Sequence, residues 1–93
     1  MINMSKRVVE VQILGNEWSR ARYEVNDNER VGDIVRRYLQ EHDPSLLNSR
    51  CGYLIAISKP NDMLITVDSN IVIEDLVMNY GTNIIYVVPV SSW

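Results

Sequence analysis

Residue types that commonly carry out catalysis are sparse in this sequence. His42 is the single histidine and has no serine or cysteine at a motif spacing, so it is typical of a solvated residue at a helix end, where the helix dipole favours it. Cys51, the single cysteine, is more typical of a small hydrophobic residue at a strand start than of a reactive thiol. Glu74 and Asp75 are adjacent carboxylates of the kind that face water on a turn. The pattern therefore predicts a protein that is not an enzyme.

Binding of a cofactor, a metal or a nucleic acid finds equally little support. The four glycines, at positions 15, 32, 52 and 81, do not form a phosphate-binding spacing. One histidine and one cysteine can hardly supply the ligands of a metal site. Nine lysines and arginines against twelve aspartates and glutamates give a net charge of −3, which argues against nucleic acid. We expect no cofactor and no metal, and we expect the partner to be another protein.

The chain length predicts one domain with one core. Its 93 residues are too few for a deep, multi-part active site. We predict a domain over residues 7–90, a flexible N-terminal extension over 1–6 and a short tail over 91–93. No apolar run approaches the roughly 20 residues that span a bilayer, and no apolar segment of signal-peptide length follows the N-terminal MINMSKR. Together with the single cysteine, these features predict a cytoplasmic protein without membrane insertion.

Residues 28–43, NERVGDIVRRYLQEHD, have the clearest periodic pattern in the chain. Apolar residues recur at helical spacing and predict one amphipathic helix, with a buried stripe of Val31, Ile34, Val35, Tyr38 and Leu39. Asn28 is the predicted N-cap, with Asn26 and Asp27 as alternatives. The helix should end before Pro44, since the residue that precedes a proline is pushed out of the helical region.

Alternating and β-branched stretches predict five strands, over residues 7–14, 20–25, 52–57, 63–67 and 83–88. The first two form a hairpin, and the continuous apolar character of the last predicts a central position in the sheet. Short helical turns are expected within 45–50, where Leu46 and Leu47 would cover the open end of the core, and within 71–76. The predicted order is β-β-α-β-β-short turn-β.

This order, with the stretches that fit it, resembles the ubiquitin-like β-grasp family. The stretch VEVQIL (9–14), the return ARYEV (21–25) and the phase of Val31, Ile34 and Tyr38 are similar to ubiquitin's first strand, second strand and helix, without a gap. Residues 53–56 (YLIA) resemble its third strand, and residues 73–78 (IEDLVM) resemble the segment that leads into the last strand. The resemblance implies an α+β fold in which a mixed sheet of four or five strands packs on one helix.

One departure from the family pattern bears on function. Ubiquitin and the carriers that act like it end in Gly-Gly, because an activating enzyme must thread a thin tail, whereas this chain ends in PVSSW (89–93). The resemblance therefore implies a non-conjugated member of the family rather than a modifier or a sulfur carrier, unless the C-terminus is processed.

The resemblance also implies a binding surface, since ubiquitin's principal recognition patch is the sheet face away from its helix. Strand parity predicts that this face carries Gln12, Leu14, Leu54, Ile85 and Val87. Several aliphatic residues in one patch usually mark a contact surface; the alternative is that the strands are shifted by one residue and these side chains belong to the core. Trp18 in the hairpin tip and Trp93 are secondary candidates for interface anchors, unless each folds back over a neighbouring strand.

Together, these expectations predict a non-catalytic ubiquitin-like domain that binds another protein through its sheet face. A second copy of the chain is one candidate partner. Small bacterial members that lack the Gly-Gly tail act as cytoplasmic accessory components of type VII secretion systems, and adaptor domains of longer eukaryotic proteins fit equally well. The alternatives are a small regulatory or structural subunit of an enzyme complex, and a processed modifier or sulfur carrier.

Overall fold

The fold is α+β, with one five-stranded mixed sheet. The computed structural model describes residues 6–47, 52–59, 61 and 63–90. In chain order its elements are β1 (Lys6–Ile13), β2 (Asn16–Asn26), α1 (Val31–His42), α2 (Pro44–Leu47), β3 (Tyr53–Ser58), β4 (Leu64–Thr66), α3 (Ile73–Tyr80) and β5 (Ile84–Pro89). The strand order is β2-β1-β5-β3-β4; β1 and β5 are parallel, and the other neighbouring pairs are antiparallel. The predicted central position of the last strand is confirmed.

The hydrophobic core lies between one face of the sheet and α1. The helix buries the predicted stripe of Val31, Ile34, Val35, Tyr38 and Leu39. Val9 and Val11 of β1 and Val25 of β2 face it, because side chains on a strand alternate between the two faces. The Tyr38 hydroxyl donates a hydrogen bond to the Ser19 carbonyl at 2.5 Å, which satisfies the one polar group that the helix stripe buries. The predicted Leu46 and Leu47 of α2 pack against the same cluster.

The predicted orientation of β5 is wrong. Ile85 pairs with Val11 and Val87 pairs with Ile13, so both residues lie on the face that packs against α1. Both are fully buried. Four of the five residues in the stretch 84–88 are aliphatic and the fifth is Tyr86, so its sequence lacks the regular polar–apolar alternation from which inward residues are usually read. The predicted orientation differs from the observed one by one residue, and a difference of one residue assigns every side chain of a strand to the opposite face of the sheet.

The helices α1 and α3 begin side by side, and each caps the other with backbone carbonyl groups. The Val31 and Gly32 N–H groups donate to the Ile71 and Ser69 carbonyls at 2.9 and 2.8 Å. In the other direction, the first N–H groups of α3 donate to the Glu29 and Asp27 carbonyls, both at 2.9 Å. These bonds satisfy donors that a helix leaves unpaired at its start.

The cross-capping accounts for the wrong N-cap prediction. The N-caps are Arg30 for α1 and Val72 for α3, and neither side chain makes a capping hydrogen bond. Asn28 lies in the preceding turn. A side-chain cap at Asn28 is unnecessary because the carbonyl groups come from a distant part of the chain.

Helix α3 is longer than the single turn predicted around residues 71–76. It continues to Tyr80 and ends at Gly81, which has the left-handed conformation (φ 68°) and whose N–H donates to the Val77 carbonyl at 2.8 Å. Glycine adopts this conformation without steric cost, so Gly81 is the stop signal. Among the helices of the described ranges, none is long and apolar enough to cross a membrane.

Several predictions fall on positions outside the described residues. These are Cys51, the tail over 91–93 with Trp93, and positions 1–5 of the predicted N-terminal extension. Lys6, the last residue of the predicted N-terminal extension, belongs to β1.

Candidate protein-interaction surface

The outer face, which we define as the sheet face away from α1, is set by the strand register. Gln12 pairs with Tyr86, Ala56 pairs with Tyr86 from the other side, and Leu54 pairs with Val88. Residues that pair directly on neighbouring strands share a face. The outer face therefore contains Glu10 and Gln12 of β1, Arg20 and Arg22 of β2, Ile84, Tyr86 and Val88 of β5, Leu54 and Ala56 of β3, and Leu64 and Thr66 of β4.

The half of the outer face formed by β1 and β2 is charged. The Glu10 carboxylate lies 3.6 Å from the Arg20 guanidinium and 3.5 Å from that of Arg22. Lys6 and Glu24 make a third contact at 3.6 Å. Exposed pairs of this kind contribute only about 0–1 kcal/mol each, so their main effect is to position the arginines.

The half formed by β5, β3 and β4 is largely apolar and partly exposed. Leu54 of β3 is 48% exposed and pairs with the half-buried Val88 of β5, where Tyr86 is also half-buried. Leu64 of β4 is 46% exposed and pairs with Ser58, on the side of β3 away from β5. Leu14, which follows β1, is held beside β5 because its N–H donates to the Val87 carbonyl at 2.9 Å. Leucines exposed in a contiguous group, with a charged rim, are typical of protein contact surfaces.

Gln12 lies at the boundary between the two halves. Its side chain is only 4% exposed, and its Oε1 accepts a hydrogen bond from Arg20 Nε at 2.8 Å. An arginine N–H can only donate, so the Gln12 atom that faces Arg20 must be the oxygen, and its NH₂ group points the other way. The buried amide is thus fixed in one orientation.

The tip of the β1–β2 hairpin forms one wall of a concavity above this boundary. The Trp18 N–H donates to Asn16 Oδ1 at 3.1 Å, and the Ser19 hydroxyl donates to the Asn16 carbonyl at 2.6 Å. These bonds shape the tip and leave the Trp18 side chain 98% exposed. The concavity has a volume of about 490 Å³ and is lined by residues that include Gln12, Leu14, Trp18, Ser58, Leu64 and Tyr86.

The structure places three of the five predicted patch residues on the outer face. Gln12 and Leu14 line the concavity, and Leu54 lies one register step farther along β3. Ile85 and Val87 are core residues, and their positions on the outer face are occupied by Tyr86 and Val88. Tyr86 carries the one polar group in the stretch 84–88, and a hydroxyl group that prefers contact with water was the signal that could have fixed the orientation of this strand.

Other residues of chemical interest have structural roles. His42 ends α1 as predicted, is exposed, and stacks on Tyr38 with ring centroids 4.6 Å apart. The Tyr23 hydroxyl donates to the Glu41 carboxylate at 2.9 Å, and burial, with this bond, raises the pKa of Tyr23. Across residues 6–47, 52–59, 61 and 63–90, no group of three or more His, Cys, Asp or Glu side chains is placed to hold a metal ion.

Trp18, predicted as a secondary anchor, does not fold back over a strand, since it is almost completely exposed. Its counterpart Trp93 lies outside the described residues. The sequence matches no protein-family model and no curated protein, so the surface is interpreted from its geometry.

Proposed function

We propose that this chain is a non-catalytic protein-interaction domain that binds its partner through the outer face. The observation that carries the proposal is the apolar row formed by Leu14, Val88 and Leu54, which crosses three elements and is bordered by the charged half of the face. Burying such a row against a partner contributes about 25 cal/mol per Å² of apolar surface, and the charged rim adds selectivity.

The finer fold assignment is part of the same proposal: a ubiquitin-like β-grasp domain without the Gly-Gly tail. Support comes from the parallel pairing of β1 and β5 in the middle of the sheet, from the hairpin partner of β1 at one edge, and from α1 packed across one face. A cytoplasmic accessory component of a type VII-like secretion system, or an adaptor domain, is the setting that this assignment suggests.

A double substitution on the apolar row tests the proposal. Leu54→Asp with Val88→Asp places two carboxylates opposite each other at positions that already contact solvent. This like-charge pair costs some stability, so circular dichroism must first show that the variant is folded. The matched control is Asn28→Asp with Gln40→Asp, which adds the same charge at exposed positions on the helix side. We expect proteins captured from the source organism by the wild type and the control to be lost with the row variant. Equal capture by a folded row variant would refute the proposal.

A second candidate function is a subunit buried within an enzyme complex, and one observation favours it. Large apolar side chains are exposed elsewhere as well, notably Met78 on α3, which is 72% exposed. A subunit that is covered on several sides should lose its assembly with Met78→Asp as well as with the row variant. A domain that binds through one face should lose its partner only with the row variant.

A further inference from the structure

The concavity beside the hairpin tip presents hydrogen-bond donors, and the two side-chain amide oxygens near it each already accept one hydrogen bond. Gln12 Oε1 accepts from Arg20 Nε and Asn16 Oδ1 accepts from the Trp18 N–H, so each of these amides has its NH₂ group left to offer. The indole of Trp18, at 98% exposure, can only donate, and the half-buried Tyr86 adds a hydroxyl group. A ligand that is rich in hydrogen-bond acceptors therefore fits this site.

The remaining lining groups are aromatic, aliphatic and acidic. Trp18 and Tyr86 provide two flat apolar rings, and Leu14 and Leu64 provide aliphatic walls. Side-chain acceptors are also present, among them the Ser58 hydroxyl oxygen, whose hydrogen is donated to the Lys59 carbonyl at 3.3 Å, and the exposed Glu17 carboxylate. Glu17 gives the site a negative charge at its rim.

We infer that this concavity binds a proline-rich segment of a partner protein, in the extended polyproline conformation and flanked by a lysine or arginine. The inference rests on the proposed protein-binding function and adds the chemical class of the partner. Prolines have no N–H group, and the carbonyl groups of a polyproline helix make no internal hydrogen bonds, so such a segment is an acceptor-rich ligand. Its rings pack against tryptophan and tyrosine, and its preformed conformation lowers the entropy lost on binding. The basic flank supplies the donor that Glu17 can accept.

The test is a titration of the full chain, labelled with ¹⁵N, with an oligoproline peptide that carries arginine at each end. We expect saturable shifts of the Trp18 indole N–H and of the Gln12 side-chain amide. The matched peptide, with alanine and serine in place of the prolines and the same arginines, should bind at least about tenfold more weakly because it lacks the proline rings that pack on Trp18 and Tyr86 and lacks their preformed conformation. No saturable shift, or equal binding of the two peptides, would overturn the inference.

Two variants separate binding from folding. Gln12→Glu keeps an oxygen for Arg20 but removes the NH₂ donor, so it should preserve the fold and weaken peptide binding at least about tenfold. Trp18→Ala removes an exposed ring and should cause a loss of similar size. Glu17→Gln should weaken binding of the arginine-flanked oligoproline but not of the same oligoproline without arginines, while Glu24→Gln, at an exposed position on the charged half, should leave binding of both unchanged.

The failures of the two proposals are distinguishable. If the row variant loses its natural partner but the oligoproline peptide does not bind the wild type, the partner class is wrong and the interaction surface stands. If the Trp18 and Gln12 resonances shift with protein concentration alone, the occupant is a second copy of the chain and the proline-rich ligand is refuted. Wild-type affinity for the peptide in Gln12→Glu would likewise refute it.

Discussion

Gly32 occupies the first turn of α1 at the point where α1 and α3 cap each other, and its replacement by alanine tests that arrangement. In an isolated helix the change is favourable by about 1 kcal/mol, because glycine has the higher conformational entropy in the unfolded chain. The Gly32 backbone is not left-handed, so alanine meets no strain from its dihedral angles. Helix propensity alone therefore predicts a more stable protein.

The neighbouring chain reverses this expectation. A Cβ atom at position 32 would lie 2.8 Å from Ser69 Cβ and 2.8 Å from the Ser69 carbonyl oxygen. Carbon atoms normally approach to roughly 3.5–4.0 Å, so the loop or the helix would have to move, and that carbonyl is also the acceptor of the 2.8 Å bond from the Gly32 N–H. Overpacking of this kind costs about 1–3 kcal/mol, and the contact with a backbone oxygen as well as a Cβ atom places this case in the upper part of that range, at about 2–3 kcal/mol. The propensity gain of about 1 kcal/mol offsets part of this cost. We expect a net loss of about 1–2 kcal/mol.

Urea denaturation followed by far-UV circular dichroism measures the effect as a lower midpoint with an unchanged slope. In a thermal scan the same loss lowers Tm by about 4–16 °C for a domain of this size. Arg36→Ala, at an exposed position on the same helix, is the control and should change the free energy of unfolding by less than about 0.5 kcal/mol.

A second variant identifies the contact. Ser69→Gly combined with Gly32→Ala removes the clash between the two Cβ atoms but leaves the carbonyl contact, so only part of the stability should return. If Gly32→Ala alone is as stable as the wild type or more stable, the two helix starts are not held at this distance and the reasoning about cross-capping is refuted.

Three further predictions test the core and the helix contacts. In urea denaturation, Ile85→Ala should destabilise the protein by about 2–5 kcal/mol and Ile84→Ala by about 1 kcal/mol or less. A larger loss for Ile84→Ala than for Ile85→Ala would mean that Ile84, and not Ile85, faces the core. Tyr38→Phe removes the bond to the Ser19 carbonyl and should lower the free energy of unfolding by about 0.5–1.5 kcal/mol; no loss would show that the bond contributes nothing. The raised pKa of Tyr23 means that the folded protein keeps a proton that the unfolded chain loses above the ordinary value of 10.0, so stability should fall as the pH rises beyond it, and less so in Tyr23→Phe. Equal slopes in the two proteins would contradict this.

The elements whose pattern is local could be predicted from the sequence. The stripe of α1 and the alternation of β1 and β2 each identify a buried face without reference to the rest of the chain, and the structure buries the same residues. What could not be predicted depends on distant partners. The start of α1 is set by carbonyl groups of Ser69 and Ile71, and the inward face of β5 is set by pairing with β1, because the stretch itself has no regular alternation.

The residues of the candidate surface also differ in whether a local sequence pattern or a distant partner determines their position. Leu14 was predicted because it follows a strand whose alternation is readable, whereas Tyr86 and Val88 were missed because their strand has no regular alternation. Leu54 was placed correctly although its own stretch, YLIAI (53–57), has no such alternation either. The orientation of the Gln12 amide also escapes sequence reasoning, since it depends on one hydrogen bond from Arg20.

The two halves of the outer face are coupled through that hydrogen bond. Glu10 lies against the Arg20 guanidinium, Arg20 Nε donates to Gln12, and Gln12 in turn directs its NH₂ group away from Arg20 at the edge of the concavity. The hydrogen bond from Arg20 fixes the oxygen end of the buried amide, and therefore leaves its NH₂ group for a ligand. In the proposed binding mode, the charged half is therefore more than a solvated rim, because it sets the donor character of the site that the apolar half surrounds.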